Sequence, residues 1–230
     1  MRVRHLLLVV RVLALLLVCA YALQPAPAAA HPLGNFTVNR YSRIAVGPEQ
    51  LTVFYVLDMA EIPTFQELTR IDSDGDGQLS DTEQTAYATS TSSELRNKLQ
   101  LQLADRPLPL QLDSYAIEFP VGQGGLKTLR LTLNLSAALP AAARWAATYT
   151  DTNYSDRLGW KEIVVAASDG ARLIEADVPN QDSSQELRNY PADLLQSPLD
   201  VSSASFRFEA TAGTTGGASA SPSIRTRCSR

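Results

Sequence analysis

Leu129-Arg130-Leu131-Thr132-Leu133-Asn134-Leu135 alternates a leucine with a polar side chain at every step. Successive side chains of a β-strand point to opposite faces, so this stretch reads as a strand with one face in a core. The same period of two extends outward from it. Phe36, Val38, Ile44 and Val46 bracket polar positions, and Leu51-Thr52-Val53-Phe54-Tyr55-Val56-Leu57 follows a Gly47-Pro48 turn. Those two runs predict an antiparallel pair. Further strands are expected over 99–103, 108–112, 116–119, 128–135, 143–150, 160–166, 171–175 and 205–210. Many short strands separated by Gly, Pro and Asp turns point to a mainly β chain, an antiparallel β-sandwich-like domain rather than a βαβ arrangement.

Helix signals are few. Thr64-Phe65-Gln66-Glu67 follows Pro63 with the form of a capping box, and Phe65, Leu68 and Ile71 fall on one helical face. A second box, Ser80-Asp81-Thr82-Glu83, opens a run with Tyr87, Leu95 and Leu99 at compatible spacing. A shorter third helix is expected over 185–195, interrupted by Pro191.

Between the first two helices lies Asp72-Ser73-Asp74-Gly75-Asp76-Gly77-Gln78-Leu79-Ser80-Asp81-Thr82-Glu83, which satisfies every position of a twelve-residue EF-hand calcium loop. A chance match across a chain of this length is below about one in a thousand. Ca2+ is a hard cation that takes six to eight oxygens from a flexible cage. Asp72, Asp74 and Asp76 each supply a carboxylate oxygen, Gln78 its backbone carbonyl, Ser80 a direct or water-mediated contact and Glu83 both its oxygens. Gly77 permits the turn at positive φ, and Leu79 anchors the loop on the core. One calcium ion is therefore expected, held by an EF-hand inserted at 62–98 after the second strand. A lone hand outside the cell falls in the weak range, about 10⁻⁴–10⁻³ M.

The chain has 230 residues, 45% apolar and 19% charged, which excludes a disordered or fibrous protein. Residues 1–30 are read as a signal peptide. Arg2, Arg4 and Arg11 form a basic start, Val12 to Leu23 an uncharged apolar run, and Ala28-Ala29-Ala30 a cleavage site before His31. Residues 31–211 form the exported domain, and 212–230 a flexible Gly/Ser/Arg tail bearing Arg225, Arg227 and Arg230. Setting aside those six arginines leaves 14 bases against 24 acids, near −10. So acidic a surface repels phosphate and argues against a nucleic-acid partner. Cys19 and Cys228 lie outside the folded region, and the histidines are His5 and His31 alone. Disulfides, common zinc sets and Ser/Cys–His catalysis are excluded unless His31 takes part.

His31-Pro32-Leu33-Gly34-Asn35-Phe36-Thr37, Tyr55-Val56-Leu57-Asp58-Met59-Ala60-Glu61-Ile62-Pro63, Gly124-Gly125-Leu126-Lys127-Thr128-Leu129-Arg130 and Gly159-Trp160-Lys161-Glu162-Ile163 resemble the exported N-terminal domain of bacterial proteins related to nickel/cobalt transporters. In such relatives a multi-helix membrane domain follows. The resemblance implies an extracellular or periplasmic, membrane-associated part of a metal-transport protein, with a membrane transporter domain as partner and no catalysis of its own. Two other readings use different residues. In a secreted hydrolase calcium is structural and acids such as Asp58 and Glu61 do acid/base work, although Asp58 equally ends a strand and Glu61 equally charges the first helix. In a copper or nickel chaperone, the amine and imidazole of an N-terminal His31 chelate the metal. Trp145, Tyr149, Tyr154 and Trp160 are cleft or core residues.

Overall fold

The computed structural model describes residues 33–141, 144–191, 194–195 and 197–210. The leader, His31 and the tail lie outside the described residues. Among the described residues, ten strands form two five-stranded sheets. In chain order they are β1 (Val38–Val46), β2 (Gln50–Met59), β3 (Leu99–Leu103), β4 (Arg106–Pro107), β5 (Gln111–Glu118), β6 (Leu129–Ala138), β7 (Arg144–Asp151), β8 (Lys161–Ala167), β9 (Ala171–Ala176) and β10 (Ser203–Ala210). The helices α1 (Glu61–Ile71) and α2 (Asp81–Asn97) both fall between β2 and β3. The protein is mainly β with an inserted helix–loop–helix, as the patterning predicts.

The first sheet runs β5-β6-β2-β1-β8 and the second β4-β3-β7-β10-β9. Every pairing between these strands is antiparallel except one, in which β8 lies parallel to β1 with Arg40 opposite Lys161. The leucines of β6 all turn inward and are at most 1% exposed, as are Val53, Tyr55 and Leu57 beside them on β2. Against them pack Leu99, Leu101, Tyr149, Phe206 and Phe208 of the second sheet, in one core to which the helices add Ile71, Tyr87 and Leu95. Full burial of each such side chain contributes about 1.5–3 kcal/mol, and a one-residue slip in any strand would expose the whole set.

Three expectations need correction. The runs at 108–112 and 116–119 join into β5, because residues 108–110 are still turning out of the β3–β4 hairpin while Ile117 continues the β6 ladder. The helix expected over 185–195 does not form over 185–191, and residues 192 and 193 lie outside the described residues. Gln185, Glu186 and Leu187 take φ of 50°, 59° and 66°, a left-handed turn. Its stabilisation is tertiary: Glu162 of β8 accepts from the Ser183 amide at 2.6 Å, Arg130 donates to the Glu186 carbonyl, and Leu187 is buried. This segment covers the outer face of the first sheet, where Tyr41, Val56, Trp160, Val164, Leu187 and Tyr190 make a second cluster. Thr64 is not a cap either. Helix α1 begins four residues earlier with Ala60 as N-cap, and buried Thr64 donates instead to the Met59 carbonyl at 3.1 Å.

Register places one set of connections at one end of the first sheet. Val38 pairs with Met59 and Met59 with Leu129, while Glu118 pairs with Arg130. The segment entering β1, the helical insertion, the β5–β6 connection and the turn entering β8 therefore share that end.

Candidate metal centre

Helix α1 stops at Ile71, and Asp72 caps it with its amide on the Leu68 carbonyl at 2.8 Å. Helix α2 starts after Ser80, where the expected capping box is complete. Ser80 accepts from the Glu83 amide, and Glu83 accepts from the Ser80 amide at 3.0 Å. The helices are tied together because Tyr87 donates to Glu67 at 3.0 Å, and α2 is tied to β5 through Thr89 and Tyr115 at 2.6 Å. Ile71 and Leu95 bury the inner faces, whereas Phe65 departs from the expected apolar stripe and is 62% exposed. The loop is thus strung between two fixed helix ends.

Within it, carboxylate oxygens of Asp72, Asp74 and Asp76 lie within 4.8 Å of one another. Backbone amides hold them there. Asp72 accepts from Gly75, Asp76 and Gly77 at 2.8–3.1 Å, Asp74 from Asp76 at 3.1 Å, and Asp76 from Gln78 at 2.7 Å. Gly75 and Gly77 take φ of 74° and 76°, a conformation costing other residues about 1–2 kcal/mol. Glu83 is buried and turns back on the loop entrance. It accepts from the Ser73 amide at 2.7 Å and from the hydroxyls of Ser73 and Ser80 at 3.1 and 2.8 Å. The Ser80 hydroxyl and these amides hold its carboxyl at about 2, well below the ordinary 4.5. Ser80 and Gln78 are exposed, and Leu79 is half-buried against the main core.

No ion pair among the described residues involves Asp72, Asp74, Asp76 or Glu83. Like charges about 5 Å apart repel by roughly 1 kcal/mol per pair in water and several-fold more near protein. An all-oxygen donor set of this charge, bent by two glycines, fits a hard divalent cation and offers nothing soft for nickel or copper. No family model and no curated protein matches this chain. Among the described residues no helix is long and apolar enough to cross a membrane.

The other candidates are not assembled into a centre. Asp58 faces Arg130 at 3.9 Å and Asn39 at 3.4 Å. Glu61 is fully buried rather than solvated and accepts from the Gln123 amide at 2.7 Å. The two acids therefore have separate partners. Tyr149 and Trp160 are both fully buried, but in different clusters, so the four aromatics do not line one cleft. Ser73, which gives Glu83 two hydrogen bonds, and Gln84, whose side-chain amide donates to the Leu79 carbonyl at 2.9 Å, carry no sequence signal because the loop pattern leaves position 73 open and ends before 84.

Proposed function

We propose that the protein is an exported, non-catalytic calcium-binding domain. Asp72, Asp74 and Asp76, the Gln78 carbonyl, Ser80 and Glu83 hold one Ca2+, and the domain serves as the extracytoplasmic part of a metal-transport protein. The convergence of three aspartates within 4.8 Å, with no cationic side chain among the described residues paired to them, carries the metal reading. The leader and the four motifs resembling nickel/cobalt transporter-related domains support the location and the transport context.

Bound calcium supplies the positive charge that the loop lacks. The chain's own residues do the rest. Asp72 and Ser80 end and begin the two helices, Gly75 and Gly77 give the bend, and Glu83 draws the loop entrance onto α2. Binding of the ion then orders the hairpin, and a weak single site would track calcium in the range outside cells. Isothermal titration with Ca2+ tests this. The exported chain should bind one ion, and Glu83→Gln or Asp72→Ala should lower the affinity by about tenfold or more. Unchanged affinity in both variants, or no heat with calcium, would reject the assignment.

A further inference from the structure

Five of the six large hydrophobic side chains exposed on the described residues stand at one end of the first sheet. They are Phe36 (71%), Phe65 (62%), Val121 (71%), Leu126 (44%) and Leu158 (82%). They come from four segments, and hydrogen bonds stitch those segments together. The amides of Ala60 and Ile62, at the start of α1, donate to the carbonyls of Thr37 and Asn35, on either side of Phe36. Glu61 holds the Gln123 amide between Val121 and Leu126. The Val38 amide donates to the Leu158 carbonyl at 2.9 Å. The apolar tips are thus parts of one rigid end.

That end also carries the calcium loop. A groove of about 680 Å3 is lined by Phe65, Leu68 and Lys127 together with Asp72, Gly77 and Leu79. Lys127 rests 5.8 Å from the centre of the Phe119 ring, and no ion pair among the described residues involves Lys127 or Arg157, the residue before Leu158. Separate apolar tips beside exposed cations that make no ion pair among the described residues suit the boundary between headgroups and acyl chains better than the flat continuous patch of a protein interface.

We propose that this end of the domain docks on an anionic phospholipid bilayer when the loop holds calcium. Val121, Leu126 and Phe65 enter the interface while Lys127 and Arg157 meet the headgroup phosphates. Without the ion, Asp72, Asp74 and Asp76 beside Phe65 repel that surface; a bound Ca2+ offsets two of the negative charges of the loop and weakens the repulsion. The calcium dependence rests on the metal site proposed above, and the test separates the two.

The exported full chain is floated with vesicles of phosphatidylglycerol and phosphatidylcholine in equal parts, in millimolar calcium or chelator, while calcium binding is titrated on the same preparation. Calcium should raise the bound fraction about tenfold, and a Phe65→Ser/Val121→Ser/Leu126→Ser variant should lose that gain with unchanged calcium affinity. Lys127→Glu alone should weaken it too. Calcium binding without vesicle binding overturns the docking and leaves the metal site standing; absence of calcium binding overturns the metal site and this dependence with it. Equal flotation of the triple variant overturns the docking, as does a dimer that the triple variant dissociates while vesicles stay unbound.

Discussion

Glu83 shows how much of the loop's geometry rests on one side chain. Buried at the start of α2, it receives hydrogen bonds from both ends of the loop, from Ser73 and Asp74 on one side and Ser80 on the other. Its folded carboxyl titrates at about 2, below the ordinary 4.5, so its contribution to stability is complete above about pH 4.5 and is lost as the pH falls towards 2. In calcium-free protein, carboxyl carbon chemical shifts should put the Glu83 titration below that of an ordinary glutamate, and the amides of Ser73 and Ser80 should lose exchange protection over the same interval. Ordinary titration near 4.5 would contradict the hydrogen-bonded loop. The six expected ligand positions were legible because each sits at a fixed spacing within twelve residues. Lys127 was not, since it reaches the groove from the β5–β6 connection, 44 residues beyond Glu83.

Among elements, β8 most needs its neighbour. Gly159 leads it alongside β1, and a Cβ there would stand 2.3 Å from the Val38 carbonyl oxygen. Gly159→Ala should therefore cost about 3 kcal/mol in urea unfolding, the upper range for overpacking. Gly124→Ala, in the open β5–β6 turn with nothing within 4 Å and φ of 65°, should cost about 1 kcal/mol. Equal costs would show that β8 does not approach β1 this closely. Element type followed from period where a segment contacts its core along its whole length, as in β2 and β6. It failed at 185–191 because the Glu162 carboxylate and the Arg130 guanidinium impose a left-handed turn through contacts 21 and 56 residues apart in sequence. The α1 boundary moved for a similar reason, since the 33–37 segment accepts the amides of Ala60 and Ile62.

On the scale of the whole molecule, the two sheets are joined through a charge pair inside the apolar core. Arg40 of β1 lies 3.3 Å from Asp151 of β7, each at most 5% exposed, and the guanidinium nitrogens make no hydrogen bond. Asp151 is better served, accepting from the Asn153 amide and side chain at 2.9 Å. Burial nonetheless pushes its carboxyl up against the pull of Arg40, so desolvation outweighs the attraction. Asp151→Ala leaves a buried cation alone and should cost about 3–5 kcal/mol in denaturant unfolding, whereas Arg40→Met with Asp151→Leu should cost little or stabilise. A double variant as damaged as the single would mean that the pair specifies how the sheets meet.

What the residues determined by themselves is local: the two-residue period of the strands, the capping box at Ser80 and the spacing of the acidic loop all act within a dozen positions. The tertiary structure alone decided the parallel seat of β8, the buried Arg40–Asp151 pair, and the gathering of Phe36, Phe65, Val121, Leu126 and Leu158 at one end. Each depends on which strands become neighbours. That choice is made by the summed burial of both sheet faces, to which no single stretch of chain contributes enough to reveal it.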